Sequence, residues 1–145
     1  MQDLRKKEDA RTMILMFGDH QPGLDASIYD TMLQIGEPAL SERSELSYIT
    51  PFVLWANYDL ESEDNILTSP NYLRTMLLEQ AEIPFSSYDR FLSACQKKYP
   101  AINCMGYYDA SGSFHPAEDL LEPYDMLWEY WLLQYANMFD RSIWK

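Results

Sequence analysis

A chain of 145 residues is long enough for one domain with a real core, and 47% hydrophobic with 23% charged residues is the make-up of a globular protein. Eleven Lys and Arg against 23 Asp and Glu leave a net charge of −12, which excludes nucleic acid as a partner, because phosphate binding needs a basic face. The same balance argues against electrostatic docking on anionic lipid.

Residues 1–10 are polar and read as the end of a surface helix, not as a signal peptide. No apolar run approaches the roughly 20 residues that cross a bilayer, so the chain by itself is expected to be soluble, with no membrane segment and no targeting signal. Residues 12–17 then form a continuous apolar run, Thr-Met-Ile-Leu-Met-Phe, that stops at Gly18-Asp19-His20-Gln21-Pro22-Gly23. A short run apolar on both faces predicts a buried strand of the parallel-sheet type. The polar residues after its C-terminal end occupy the place where α/β sheets put their chemistry. A buried strand needs neighbours on both sides. This chain offers few, so the missing strands are expected upstream.

Tyr29, Met32 and Leu33 predict a short helix, closed by Gly36-Glu37-Pro38, and residues 41–45 read as charged and exposed. Residues 48–57 predict a second strand with Pro51 at its start, followed by an exposed acidic loop at 61–65. Ser69-Pro70 is a helix start, Ser as N-cap and Pro at the first position. Tyr72, Leu73, Met76, Leu77 and Gln80 continue at the helical period. Ser86 or Ser87 opens the next helix, with Tyr88, Phe91, Leu92 and Cys95 on one face and Tyr99-Pro100 as its end. Residues 101–109 read as one strand, Ala110-Ser111-Gly112 as a turn and Ser113-Phe114 as the start of a return strand. Residues 120–139 give the strongest helix. Tyr124, Leu127, Trp128, Trp131, Tyr135, Met138 and Phe139 recur along one face of it, which predicts packing. The aromatic content of 14% suits a large core or an interface. Cys95 and Cys104 lack a CxxC spacing and read as small buried residues.

The sharpest constellation for chemistry is Gly18-Asp19-His20. A carboxylate and an imidazole are a normal mixed ligand set for zinc or manganese, a strand end holds them rigidly, and Gly18 permits the sharp turn. The plain alternative is a turn whose Asp caps a backbone N–H. His115, with Glu118 and Asp119 nearby, suggests a second metal site or simply a solvated loop, and the loop is the preferred reading. Asp59, Glu61, Glu63 and Asp64 lack the spacing of a calcium loop. Ser69, Ser86 and Ser87 are helix caps and have no Gly-x-Ser-x-Gly setting.

The stretch Met-Ile-Leu-Met-Phe-Gly-Asp-His-Gln-Pro at residues 13–22 resembles the metal-binding strand end of the lipoteichoic acid synthase-like phosphoglycerol transferases, of the alkaline phosphatase–sulfatase superfamily. Residues 50–59 and 69–92, and the region around Glu129, Tyr130, Gln134 and Tyr135, fit the same pattern, so the resemblance runs over residues 3–140. It implies the C-terminal portion of an alkaline phosphatase-like α/β/α sandwich. Residues 1–23 would end the catalytic core and residues 24–145 would form a small α+β subdomain with antiparallel strands. It implies Asp19 and His20 as ligands of a divalent metal, most often Mn2+, a Thr nucleophile, and a phosphatidylglycerol-like or other anionic ester substrate. It also implies a parent protein in the cell membrane with an extracellular catalytic domain.

The nucleophile and the early acidic ligand belong to upstream sequence. Thr12, Thr31, Thr50, Thr68 and Thr75 do not match the nucleophile's context, so no catalytic residue is assigned and the isolated chain is expected to be inactive, lacking the N-terminal part of the catalytic domain. A sulfatase is the alternative within the superfamily. A non-catalytic acidic binding domain, presenting the helix at 124–139 to a partner, is the alternative outside it.

Overall fold

The structure, a computed structural model, describes residues 10–33, 44–117 and 125–140. Among them the architecture is mixed α/β, with four α-helices, one 3-10 helix and two small antiparallel sheets. The first apolar run forms β1 (Met13–Phe17) and the second forms β2 (Phe52–Ala56). Pro51 lies just before β2, where its missing N–H costs no ladder bond. The two strands pair antiparallel, Met13 opposite Ala56 and Phe17 opposite Phe52. Asn57 extends the ladder: its N–H donates to the Thr12 carbonyl at 3.1 Å and its side-chain oxygen accepts the Thr12 N–H at 2.8 Å.

The two-faced apolar character of β1 predicts burial in a parallel sheet, and here the structure differs. Among the described residues β1 has only β2 as a partner, and Ile14, Met16, Phe17 and Val53 are all exposed, Met16 to 62%. The strand carries more apolar surface than a two-stranded sheet can bury.

The helix predicted around Tyr29 is α1 (Ala26–Leu33), with Tyr29 buried. Its predicted stop at Gly36-Glu37-Pro38 lies outside the described residues. A 3-10 helix (Ser44–Tyr48) leads into β2. It corrects the exposed reading of Glu45, which is only 7% exposed.

The core lies between α2 (Pro70–Gln80), α3 (Ser87–Lys98), α4 (Met126–Phe139) and a small meander. Tyr72, Leu92, Cys95, Tyr99, Leu127 and Tyr130 form its buried cluster, with Tyr88, Phe91, Ile102 and Tyr107 packed against it. Tyr72 is fully buried and its hydroxyl donates to Cys95 Sγ at 3.3 Å. Burial pushes both the Tyr72 phenol and the Cys95 thiol upward, so both stay protonated.

Ser86 opens α3 with a capping box: its hydroxyl accepts the Asp89 N–H, and Asp89 accepts the Ser86 N–H at 3.0 Å and its hydroxyl at 2.6 Å. The other Asp89 oxygen pairs with Arg74 of α2. One carboxylate, with its side chain 2% exposed, thus caps one helix and ties it to the next. The Ser86 hydroxyl holds its pKa below the usual carboxylate range. The Ser86 N–H and the Arg74 charge add to this and outweigh the opposing effect of burial. A folded pKa below the unfolded one stabilises the fold above the unfolded value, near 4, and the contribution is lost as pH falls through the folded value. Asp89→Asn is therefore expected to lower stability by about 2 kcal/mol at neutral pH and to flatten its decline below about pH 4. Urea unfolding at pH 7 and pH 3 checks both.

Residues 101–109, which read as one strand, fold as a hairpin: β3 (Ala101–Asn103) and β4 (Gly106–Tyr108), joined at Cys104 and Met105. Cys104 is consequently exposed, against the buried reading, while Cys95 is buried as expected. β5 (Phe114–Pro116) returns along β4 after the predicted turn.

The last helix, α4, starts at Asp125, whose carboxylate accepts the Leu127 N–H at 3.0 Å, the Tyr99 hydroxyl at 2.7 Å and Lys98 at 2.9 Å. The start of the helix predicted over 120–139, residues 120–124, lies outside the described residues. The aromatic stripe divides. Leu127 packs inward as predicted, joined by Tyr130, which the predicted stripe omits, whereas Trp131, Tyr135, Met138 and Phe139 are at least 50% exposed. Trp128, Trp131, Tyr135 and Phe139 form a continuous series of ring contacts, with centroids 4.9 to 6.0 Å apart. Among the described residues no helix is long and apolar enough to cross a membrane.

Candidate metal-binding turn and adjoining cleft

β1 delivers Gly18-Asp19-His20 beyond its C-terminal end, and the approach to β2 fixes the turn. The Gly18 N–H donates to the Pro51 carbonyl at 3.0 Å, and the Thr50 hydroxyl donates to the Gly18 carbonyl at 2.9 Å. A Cβ at Gly18 would stand 3.0 Å from Thr50 Cβ, so the glycine permits this close approach. Gln21 Nε2 donates to the Ile49 carbonyl at 2.5 Å, and the hydroxyl of the buried Tyr29 donates to the Pro22 carbonyl. Sequence reasoning singled out the Gly-Asp-His element but not Thr50, Gln21 and Tyr29 as its anchors. A lone Thr or Gln carries no signal of a bond formed across 28 or 32 residues.

Asp19 and His20 both project into solvent, with side chains 84% and 78% exposed. Asp19 Oδ1 accepts the His20 N–H at 2.8 Å, which is the capping role of the plain alternative. Its other oxygen lies 3.6 Å from His20 Nε2. His20 Nδ1 lies 2.9 Å from the Gln21 carbonyl. A carbonyl can only accept, so Nδ1 carries a proton there, and in the neutral ring Nε2 is left with the lone pair. That outer hydrogen bond is the arrangement that orients a metal-ligating imidazole. The Gln21 carbonyl and, next, the Asp19 charge raise the His20 pKa.

Two donors on one ion at ordinary bond lengths lie roughly 3–3.5 Å apart, so Asp19 Oδ2 and His20 Nε2 can meet on one cation with a small rotation. The donor chemistry fits a divalent metal, but the set is incomplete. Among the described residues no group of three or more His, Cys, Asp or Glu side chains converges as a metal site.

The other histidine sits on β5 and not in a loop. His115 Nε2 lies 2.7 Å from Asp109 Oδ2, and its ring stacks on Tyr107 at 4.8 Å. Asp109 also accepts the Ser111 hydroxyl and N–H and the Ser113 N–H. The Ser111 hydroxyl, His115 and the Ser113 N–H hold its pKa well below the carboxylate range. These bonds close the β4–β5 turn. Glu118 and Asp119 lie outside the described residues. Ser86 and Ser69 are N-caps, although Ser69 directs its hydroxyl to Asn71 Oδ1 and accepts the Ile102 N–H instead of bonding its own helix.

Beside the turn a cleft of about 100 Å³ opens between the β1–β2 sheet and the α2–β3 unit. Gly18 and Thr50 form the side next to the Gly-Asp-His turn, and Glu45, Tyr48, Asn103 and Tyr108 are among its other walls.

No protein-family profile matches the chain, and no solved structure matches it significantly. The chain is similar to a Rhizobium meliloti (strain 1021) protein provisionally named a cyclic beta-1,2-glucan modification protein, with 27% identity over 107 residues. The match covers 71% of this chain and 17% of the relative, so the chain spans about a sixth of that protein's length.

Proposed function

We propose that this chain supplies the Asp19–His20 half of the metal site of a phosphoglycerol transferase or phosphodiesterase of the alkaline phosphatase–sulfatase superfamily, acting on phosphatidylglycerol-type lipids in cell-envelope polymer synthesis. The observation that carries the proposal is the turn itself: a carboxylate oxygen and an imidazole lone pair, 3.6 Å apart, exposed at a strand end and held by Gly18, Thr50 and Gln21. The name of the Rhizobium relative, a glucan-modifying protein, supports a place in envelope chemistry. The exposed apolar side chains of β1 support further strands against it, on a longer protein whose catalytic core would end at residues 1–23.

In that setting a bound Mn2+ would stabilise phosphoryl oxygens and lower the pKa of a nucleophile supplied upstream. Asp19 and His20 would hold the ion, and the Gln21 carbonyl would keep His20 in the tautomer that presents Nε2. The parent protein would sit in the membrane with this part outside.

The test is an assay of the longer protein with Mn2+ on phosphatidylglycerol and on an aryl sulfate. Release of the phosphoglycerol group, abolished by chelation and absent from the isolated chain, is expected. Turnover of the sulfate ester alone would move the protein to the sulfatases. Metal-independent turnover would defeat the metal-site assignment. The exposed series from Trp128 to Phe139 favours a second reading, a non-catalytic domain that meets a partner through α4. Full stability of the isolated chain without any metal affinity is its distinguishing result.

A further inference from the structure

A helix that is apolar on every side is normally covered on every side, and α4 carries a single charge, Glu129, in 14 residues. The core takes only part of it. Trp128, Trp131, Tyr135 and Phe139 follow one another at steps of three and four residues, so they share one face, and their rings form the continuous series already described. Trp131, Leu132, Tyr135, Met138 and Phe139 are 44% to 68% exposed. Glu129, two positions from Trp131, does not share this face.

The size and charge of the stripe say what covers it. A whole aromatic side chain presents about 150–250 Å2, so at these exposures the five side chains offer roughly 550 Å2. Two such stripes in contact bury about 1,100 Å2, above the roughly 1,000 Å2 that a specific interface needs. An interfacial membrane helix pairs its apolar face with Lys and Arg, and α4 has neither. A chain of net charge −12 repels its own copies, so self-association needs a face without charge, which the stripe provides. The stripe is also self-complementary. An antiparallel crossing centred between Trp131 and Tyr135 sets Trp131 against the partner's Tyr135 and Trp128 against the partner's Phe139, and the reverse.

We propose that α4 is the contact of a two-fold symmetric dimer of this chain, in which two copies of the helix cross antiparallel along the Trp128–Phe139 stripe. The proposal rests on the reading in which α4 meets a protein partner and names that partner. It does not depend on the metal turn, so Asp19→Ala/His20→Ala should dimerise like the wild type.

The experiment is sedimentation velocity of the full chain across a wide range of concentration, with Trp131→Glu, Tyr135→Lys and an equimolar mixture of the two. Both positions are at least half exposed, so the fold tolerates either charge. The wild type should pass from monomer to dimer. Each variant alone should dimerise at least about tenfold more weakly, because it buries an unpaired charge. The mixture should recover a mixed dimer, since the introduced charges meet at one Trp131–Tyr135 contact and the native pair survives at the other. Met16→Lys on the exposed face of β1 should change nothing. Dimers lost in Met16→Lys, or a mixture no tighter than its components, would overturn the proposal. So would a monomer, and the Trp131 indole NMR signal then separates two cases. Broadening by a soluble paramagnetic probe leaves α4 to a different protein, whereas a shielded indole ends the partner reading as well.

Discussion

Gly106→Ala is expected to destabilise the fold by upwards of about 3 kcal/mol, the largest effect of any single substitution considered. Gly106 has φ +151, a region L-residues rarely adopt. A Cβ there would lie 2.0 Å from the His115 carbonyl oxygen and 2.9 Å from the Phe114 ring. Neither the backbone of β5 nor the β3–β4 turn can yield without breaking the Gly106–Pro116 and Tyr107–His115 pairings. Tyr107 and Ile102 pack on the core, so the damage reaches α3 and α4. Urea unfolding monitored by tryptophan fluorescence gives the number. Gly112→Ala is the control: its φ is +82 but nothing lies within 4 Å of the added carbon, so its cost should be confined to backbone strain of about 1 kcal/mol.

Loss of either proposed metal donor is the second large expected effect. In the longer protein, Asp19→Ala or His20→Ala should reduce kcat/KM by at least about 100-fold, since even outer-shell partners of metal ligands cost 10–100-fold. Excess Mn2+ should restore part of the loss if the remaining donors still hold the ion. Stability should barely move, because both side chains are more than three-quarters solvent-exposed and their hydrogen bonds are local to the turn. Gln21→Ala should fall between wild type and these variants. It frees the turn from the Ile49 carbonyl and leaves the donors in place.

Much of the fold was legible in the sequence because its signals are local. Ser86 or Ser87 marks a helix start, Pro70 marks a first helical turn, and Leu92 and Cys95 share a face at the helical period. The errors arose where a local pattern met a distant decision. Residues 101–109 are rich in strand formers, and only Gly106, read as a strand residue, hinted at the hairpin. Glu45 looked exposed because it sits in a charged stretch, yet the 3-10 helix turns it inward beside Thr50 and Leu73 in the cleft wall. The stripe on α4 predicted one buried face, but the facing surfaces of α2 and α3 cover only its first turns, through Leu127 and Tyr130. At the candidate turn, Asp19 and His20 stand out in the sequence by their place after an apolar strand. Their anchors depend on contacts with residues 49–51, which no pattern in the turn announces.

The account rests on Asp19 and His20 gripping a divalent cation, and the direct test is paramagnetic broadening by Mn2+ of the 1H–15N spectrum of the isolated chain. Broadening reports weak binding that a calorimetric isotherm for two donors would miss. The predicted result is selective loss of the amide signals of residues 18–21 at substoichiometric Mn2+, with the Asp19→Ala/His20→Ala variant unaffected. Signals of residues 18–21 that persist while the acidic loop at 61–65 broadens would contradict it and leave this turn a structural one.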